Sequence, residues 1–171
     1  MQFGYILSRS RGEAGAVLAE LSSHLAAKNL RLIGAVEMLA QTGDHPPMDI
    51  RLLPSNKIYR ISQDLGPGSD GCRLNAGALE LAVAKVQRDL ETHGADLLLL
   101  SKFGKQEVEG RGFRQLIADA LAADLPVLVT VGEDCFDGFA SFAEGLAKPV
   151  ACTLDAAQIW CHHALALPAE G

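Results

Sequence analysis

Apolar positions in this chain fall into two alternating rhythms, one of strand length and one of helical spacing. Residues 2–8 read as a first strand. Residues 13–28 then carry Val17, Leu18, Leu21 and Leu25 at the i, i+3/i+4 spacing of an amphipathic helix, and residues 30–39 read as a second strand. A strand–helix–strand unit at the start predicts parallel pairing with a right-handed crossover. Residues 41–47 break the rhythm as a polar turn or surface loop. Residues 48–53 and 57–62, separated by Pro54-Ser55-Asn56, predict a hairpin. Three glycines and a proline within residues 66–71 demand a loop.

Beyond that loop Asn75 is placed to cap a helix running to about Glu91, with Leu79, Ala82, Val83, Val86 and Leu90 on one face. His93-Gly94 ends it, and Leu97-Leu98-Leu99-Leu100 forms the core of a central strand. A helix over 112–123, a nearly continuous apolar strand over 126–131 and a helix over 135–145 follow. A short strand or extended segment over 151–154 leads to a last helix, capped by Asp155, that ends before Pro168. Near-continuous apolar strands fit a sheet covered on both faces. The predicted fold is therefore an α/β three-layer domain, with a mostly parallel central sheet and a small two-stranded excursion. Its length of 171 residues suits one domain.

Composition narrows the function classes. A formal net charge of -6 opposes general nucleic-acid affinity. The absence of a membrane-length apolar run or a basic, apolar leader predicts a cytoplasmic protein without a membrane partner. Four cysteines, at 72, 135, 152 and 161, show neither metal-site pairing nor dense disulfide spacing, which fits a reduced interior. His162-His163 lacks the i, i+4 geometry that makes two helical side chains converge on a metal. No metal site is expected.

Candidate chemistry gathers where strands should end. Ser8, Arg9, Ser10, Arg11 and Gly12 link the first strand to the first helix, the position of a phosphate loop. Loop amides, two hydroxyls and two guanidinium forks there suit an anion. The other account of this loop is a polar connection opening a surface helix. Cys72 beside Arg73 is a candidate nucleophile or ligand contact, since a neighbouring guanidinium favours the thiolate. The central segment supplies Gly104 and the cation Lys105. It also supplies Glu107 and Glu109 as candidate bases or metal-binding carboxylates, and Arg111 beside a helix start, where a cation calls for a nearby anion. The alternative is a solvated, charge-alternating bridge from strand to helix.

The blocks Gly71-Cys72-Arg73-Leu74 and Lys102-Phe103-Gly104-Lys105-Gln106-Glu107-Val108-Glu109-Gly110-Arg111-Gly112 resemble a bacterial family carried as a domain of unknown function. Some of its members are labelled molybdenum-transport ATP-binding proteins. The resemblance extends over nearly the whole chain. More remotely, the chain is similar to small P-loop nucleoside triphosphatases. There the central strand ends in an acidic pair, a hydrophobic residue, Gly-Lys and then a Glu. This chain keeps Phe103-Gly104-Lys105 and Glu107, has Ser101-Lys102 in place of the acidic pair, and lacks the GxxxxGK[ST] loop. The resemblance thus implies a P-loop-like fold. It also implies a pocket for a nucleotide or a molybdate-like oxyanion, contacted by Arg9, Arg11, Arg73 and loop amides.

Three function classes follow. The leading one is a non-hydrolytic binding protein for an anionic small molecule, held among the loops over 8–15, 66–73 and 104–112. The second is a divergent nucleoside triphosphatase using Lys105 with Glu107 or Glu109. The third is an interaction or assembly subunit, for which self-association stays open. The resident cofactor is left unspecified by all three.

Overall fold

The computed structural model describes residues 1–38, 47–63 and 74–168. Strand β1 (Phe3–Ser8) leads through a loop into helix α1 (Glu13–Ala26), and β2 (Leu32–Glu37) follows. β3 (Asp49–Leu53) and β4 (Ile58–Arg60) form the expected hairpin. The remaining order is α2 (Ala76–His93), β5 (Leu97–Phe103), α3 (Lys105–Val108), α4 (Arg114–Ala122), β6 (Val127–Gly132), α5 (Phe136–Ala143), β7 (Lys148–Val150) and α6 (Leu154–Ala164).

The strands form one sheet in the order β4-β3-β2-β5-β6-β1-β7. β2, β5, β6, β1 and β7 run parallel, and the β3–β4 hairpin adds antiparallel to β2. Each face buries its own apolar cluster. One lies under α2, α4 and α5 and includes Leu98, Leu100, Phe103, Phe113 and Phe139. The other lies under α1 and α6 and includes Leu18, Leu21, Leu97, Leu99 and Cys161. Leu97 to Leu100 are at most 1% exposed, so each contributes about 1.5–3 kcal/mol of burial, and neighbouring leucines serve opposite faces. The sheet is therefore the middle of three layers, as the apolar runs predict.

Several elements differ in detail from expectation. β7 covers Lys148–Val150 rather than 151–154. The apolar run there is too short to fix its phase, and Pro149 is tolerated because β7 is an edge strand. Thr153, not Asp155, caps α6: its side chain accepts a hydrogen bond from Ala156 N at 3.2 Å. Asp155 lies inside the first turn, where its charge suits the helix dipole. Asn75 caps α2 as predicted, accepting from Ala78 N. Trp160 anchors α6 by lying directly over Gly4 of β1.

Candidate functional site

Four parallel strands deliver polar residues to one edge of the sheet: β1 at Ser8, β2 at Glu37, β5 at Lys102 and β6 through Thr130 and Gly132. The edge is formed by carboxyl ends, where open parallel sheets gather ligands. A cleft of about 800 Å³ lies there. Ser8, Arg9, Ser10, Arg11 and Gly12 line one side, and Glu37, Lys102, Thr130, Glu133 and Asp134 line much of the rest.

The Ser8–Gly12 loop is organised by its own hydroxyls. Ser8 Oγ donates to Ser10 O at 2.8 Å and accepts from Ala14 N at 3.3 Å, so it satisfies one first-turn amide of α1. Ser10 Oγ donates to Glu13 Oε2 at 3.2 Å. Gly12 precedes the helix at φ 77°, a left-handed conformation that a β-carbon disfavours. Arg9 and Arg11 are exposed and extend from this frame, with Arg9 Nε 3.7 Å from Glu133 Oε1.

Glu37 closes β2 and reaches over the first turn of α1. Its carboxylate lies against the α-carbon of Gly15, where any side chain would collide with it. Gly15 is therefore a spacer that admits a carboxylate to the base of the cleft. Lys102 Nζ sits 3.9 Å from Glu37 Oε1, a loose pair at the cleft mouth. Beneath it Ser101 Oγ and Thr130 Oγ1 share a buried 3.2 Å hydrogen bond, tying β5 to β6. Cations and carboxylates are thus interleaved across the cleft.

A second cavity, of about 190 Å³, shares Glu37, Lys102 and Asp134 with the cleft and extends beneath β3 and α2 toward α3. Gly104, Lys105 and Glu107 line it. The segment after β5 is a one-turn helix rather than the open polar bridge that charge alternation suggests. Glu107 is only 3% exposed and accepts from Gly104 N at 2.9 Å and Phe113 N at 3.1 Å. Burial pushes its carboxyl above the ordinary range, while the amides from Phe113 and Gly104 pull the other way. Its geometry is that of a buried clamp joining α3 to α4. Arg111 bonds Glu109 and Gln106, and neither Glu109 nor Arg111 lines the two cavities.

The candidates thus separate into groups. Ser8, Arg9, Ser10, Arg11 and Gly12 share the main cleft, whereas Gly104, Lys105 and Glu107 lie at its smaller neighbour. Cys72 and Arg73, with the loop over 66–71, lie outside the described residues, as does most of the turn over 41–47. Glu37, Thr130 and Asp134 were missed as site residues, whereas Gly15 ends the loop over 8–15 already expected to hold the ligand. For Glu37 the signal was a single acid ending an apolar strand. Asp134 stands where it could cap a helix, but no side-chain cap bond is present at the turn or helix it would start, and it lines both cavities. Cys135 beside it lines the smaller cavity, and burial followed by the Asp134 charge pushes its thiol up. Among the described residues no group of three His, Cys, Asp or Glu side chains is arranged to hold a metal ion. Among the same residues, no helix is long and apolar enough to cross a membrane.

Comparison with known proteins gives the family and the likeness of fold. The family described as Protein of unknown function (DUF2478) matches residues 4–160. A curated relative from Bradyrhizobium diazoefficiens, the molybdenum import ATP-binding protein ModC 2, is 31% identical over 157 residues. That match takes in 91% of this chain but 17% of the relative, so the chain spans about a sixth of that protein. The solution structure of a human cancer-related nucleoside triphosphatase aligns with a TM-score of 0.63 at 16% identity, over 87% of both chains. That likeness is one of fold.

Proposed function

The chain belongs to the family described as Protein of unknown function (DUF2478), and from that premise we propose that its main cleft binds an anionic small molecule without hydrolysing it. The ligand class is a nucleotide or a tetrahedral oxyanion. One observation carries the reading: a strand-to-helix loop bearing Arg9 and Arg11 opens into a cleft of about 800 Å³ at the carboxyl edge of a parallel sheet. That volume lies within the roughly 300–1,000 Å³ usual for small-molecule sites. The relative's name supports the class, since it joins ATP binding to molybdenum import.

The non-hydrolytic part rests on what occupies the first turn of α1. Ala14 and Gly15 stand there, and neither supplies the ammonium or hydroxyl that phosphoryl transfer uses to neutralise charge and hold a cation. Lys102 stands at the end of β5, where the resemblance called for acid. Glu107 is held by two backbone amides in the buried clamp, which removes it as a mobile base.

Titration calorimetry against ATP, ADP, phosphate and molybdate at low ionic strength tests the binding. At least one anion is expected to bind, with affinity falling about tenfold in the Arg9→Ala/Arg11→Ala double variant. Folded protein that binds none of the four overturns the reading. A phosphate-release assay with ATP and Mg²⁺ tests the second part. Turnover that disappears in both Lys105→Ala and Glu107→Ala, with folding intact, would favour the triphosphatase reading instead.

A further inference from the structure

We infer that the anion recognised in the main cleft is organic, and that its one flat ring occupies the second cavity. This rests on the proposed anion site and narrows its ligand. The two cavities adjoin: Glu37, Lys102 and Asp134 are among the residues that line both, which sets them within reach of a single molecule. Their characters differ. The main cleft presents loop donors and cations, whereas Leu79, Phe103 and Phe113 line only the second; Ile50 and Ile61 face both, and Lys105, Gln106 and Glu107 make the far end of the second polar.

Size selects the occupant. An apolar cavity of about 150 Å³ accepts benzene, so by volume alone about 190 Å³, with an apolar wall and polar side chains at its ends, suits one ring system. It is too small for a second large group. The five apolar wall residues are each at most 8% exposed, which fixes them in the core and makes the cavity part of the packed frame.

The polar chemistry at the neck fits a ring joined to an anion. Glu37 and Lys102, 3.9 Å apart, place an acceptor and a donor where the two cavities meet. A ring edge with exchangeable hydrogens faces the carboxylate, while the ammonium faces the charged group leaving for the Ser8–Gly12 loop. A bare tetrahedral oxyanion in the main cleft leaves Leu79, Phe103 and Phe113 uncontacted. The class is therefore an aryl or heteroaryl phosphate or a similar ring-bearing anion, nucleoside monophosphates included.

Paired titrations of inorganic phosphate and phenyl phosphate, followed by NMR on amide- and methyl-labelled protein, test this. Phosphate is expected to move the Gly12 and Gly15 amides. Phenyl phosphate should move these and also the Leu74 and Leu79 methyls, which line only the second cavity, with affinity about tenfold or more tighter, as burial of one ring predicts. Cys135→Trp, which fills the second cavity from its wall, should reduce that affinity ratio to within about twofold. Equal affinities, or methyl signals unmoved by phenyl phosphate, overturn the ring assignment and leave the anion site standing. If neither compound moves any signal in folded protein, and ATP and molybdate also fail to bind, the anion site and the ring assignment fall together.

Discussion

Glu107 and Gly112 form a single constraint at the residue scale. The α-carbon of Gly112 lies against the buried Glu107 carboxylate at φ 60°, and its amide donates to Glu80 Oε1 at 2.9 Å. A methyl group there collides with an acid that cannot swing away without stranding the Gly104 and Phe113 amides. Gly112→Ala is therefore expected to cost at least about 2 kcal/mol in urea unfolding, combining backbone strain with the clash. Glu107 itself gives a pH signature. Its folded carboxyl titrates above its ordinary 4.5, chiefly through burial, with the Glu80 charge adding a smaller push. As pH rises past 4.5 the unfolded chain ionises first, so this group's contribution is full below that point and is lost as pH climbs through the raised folded value. Glu107→Gln has no such loss. It leaves one amide facing an NH₂ group, a cost of about 1–3 kcal/mol at acid pH. The stability gap between native chain and variant should narrow between about pH 4.5 and neutrality. A gap constant across that range would show that Glu107 is already ionised when folded near pH 4.5.

Long elements and short ones differ in how their sequences set their bounds. The four leucines of β5, the apolar face of α2 and the Asn75 cap each gave several concordant signals, and those elements stand where the pattern places them. β7 is three residues long and its phase depended on pairing to β1 through Gly4, Tyr5 and Ile6, which no local spacing reveals. The same holds for α3, whose single turn exists because Glu107 reaches back to Gly104 and onward to Phe113. At α6 two residues competed for the capping role. Thr153 adopts extended backbone and bonds the Ala156 amide, while Asp155 is already helical. Thr153→Ala should therefore cost about 1 kcal/mol. Asp155→Ala should cost only a few tenths through the dipole. Paired chemical denaturation curves distinguish them, and the reverse order would return the cap to Asp155.

At the scale of the whole molecule, topology brings together residues that sequence distance had kept apart. The first loop was legible because it follows a strand and opens a helix. Glu37 and Asp134 were not, since their importance depends on β2, β5 and β6 ending at one edge. The resulting electrostatics are mixed: Arg9, Arg11 and Lys102 face Glu37, Asp49, Glu133 and Asp134 around the cleft, in a chain of net charge -6. An anion must therefore compete with resident carboxylates for its cations. Arg9 is the clearest case, because its pair with Glu133 joins side chains that are 78% and 60% exposed, and such pairs contribute little to stability. Glu133→Gln should leave the unfolding midpoint nearly unchanged while releasing Arg9. Phosphate or ATP affinity by calorimetry should then rise about two- to threefold, and the gain should shrink as salt shortens the Debye length below about 10 Å. A loss of affinity would mean that Glu133 contacts the ligand itself, accepting from its hydroxyl or amino groups, and is not a competitor for Arg9.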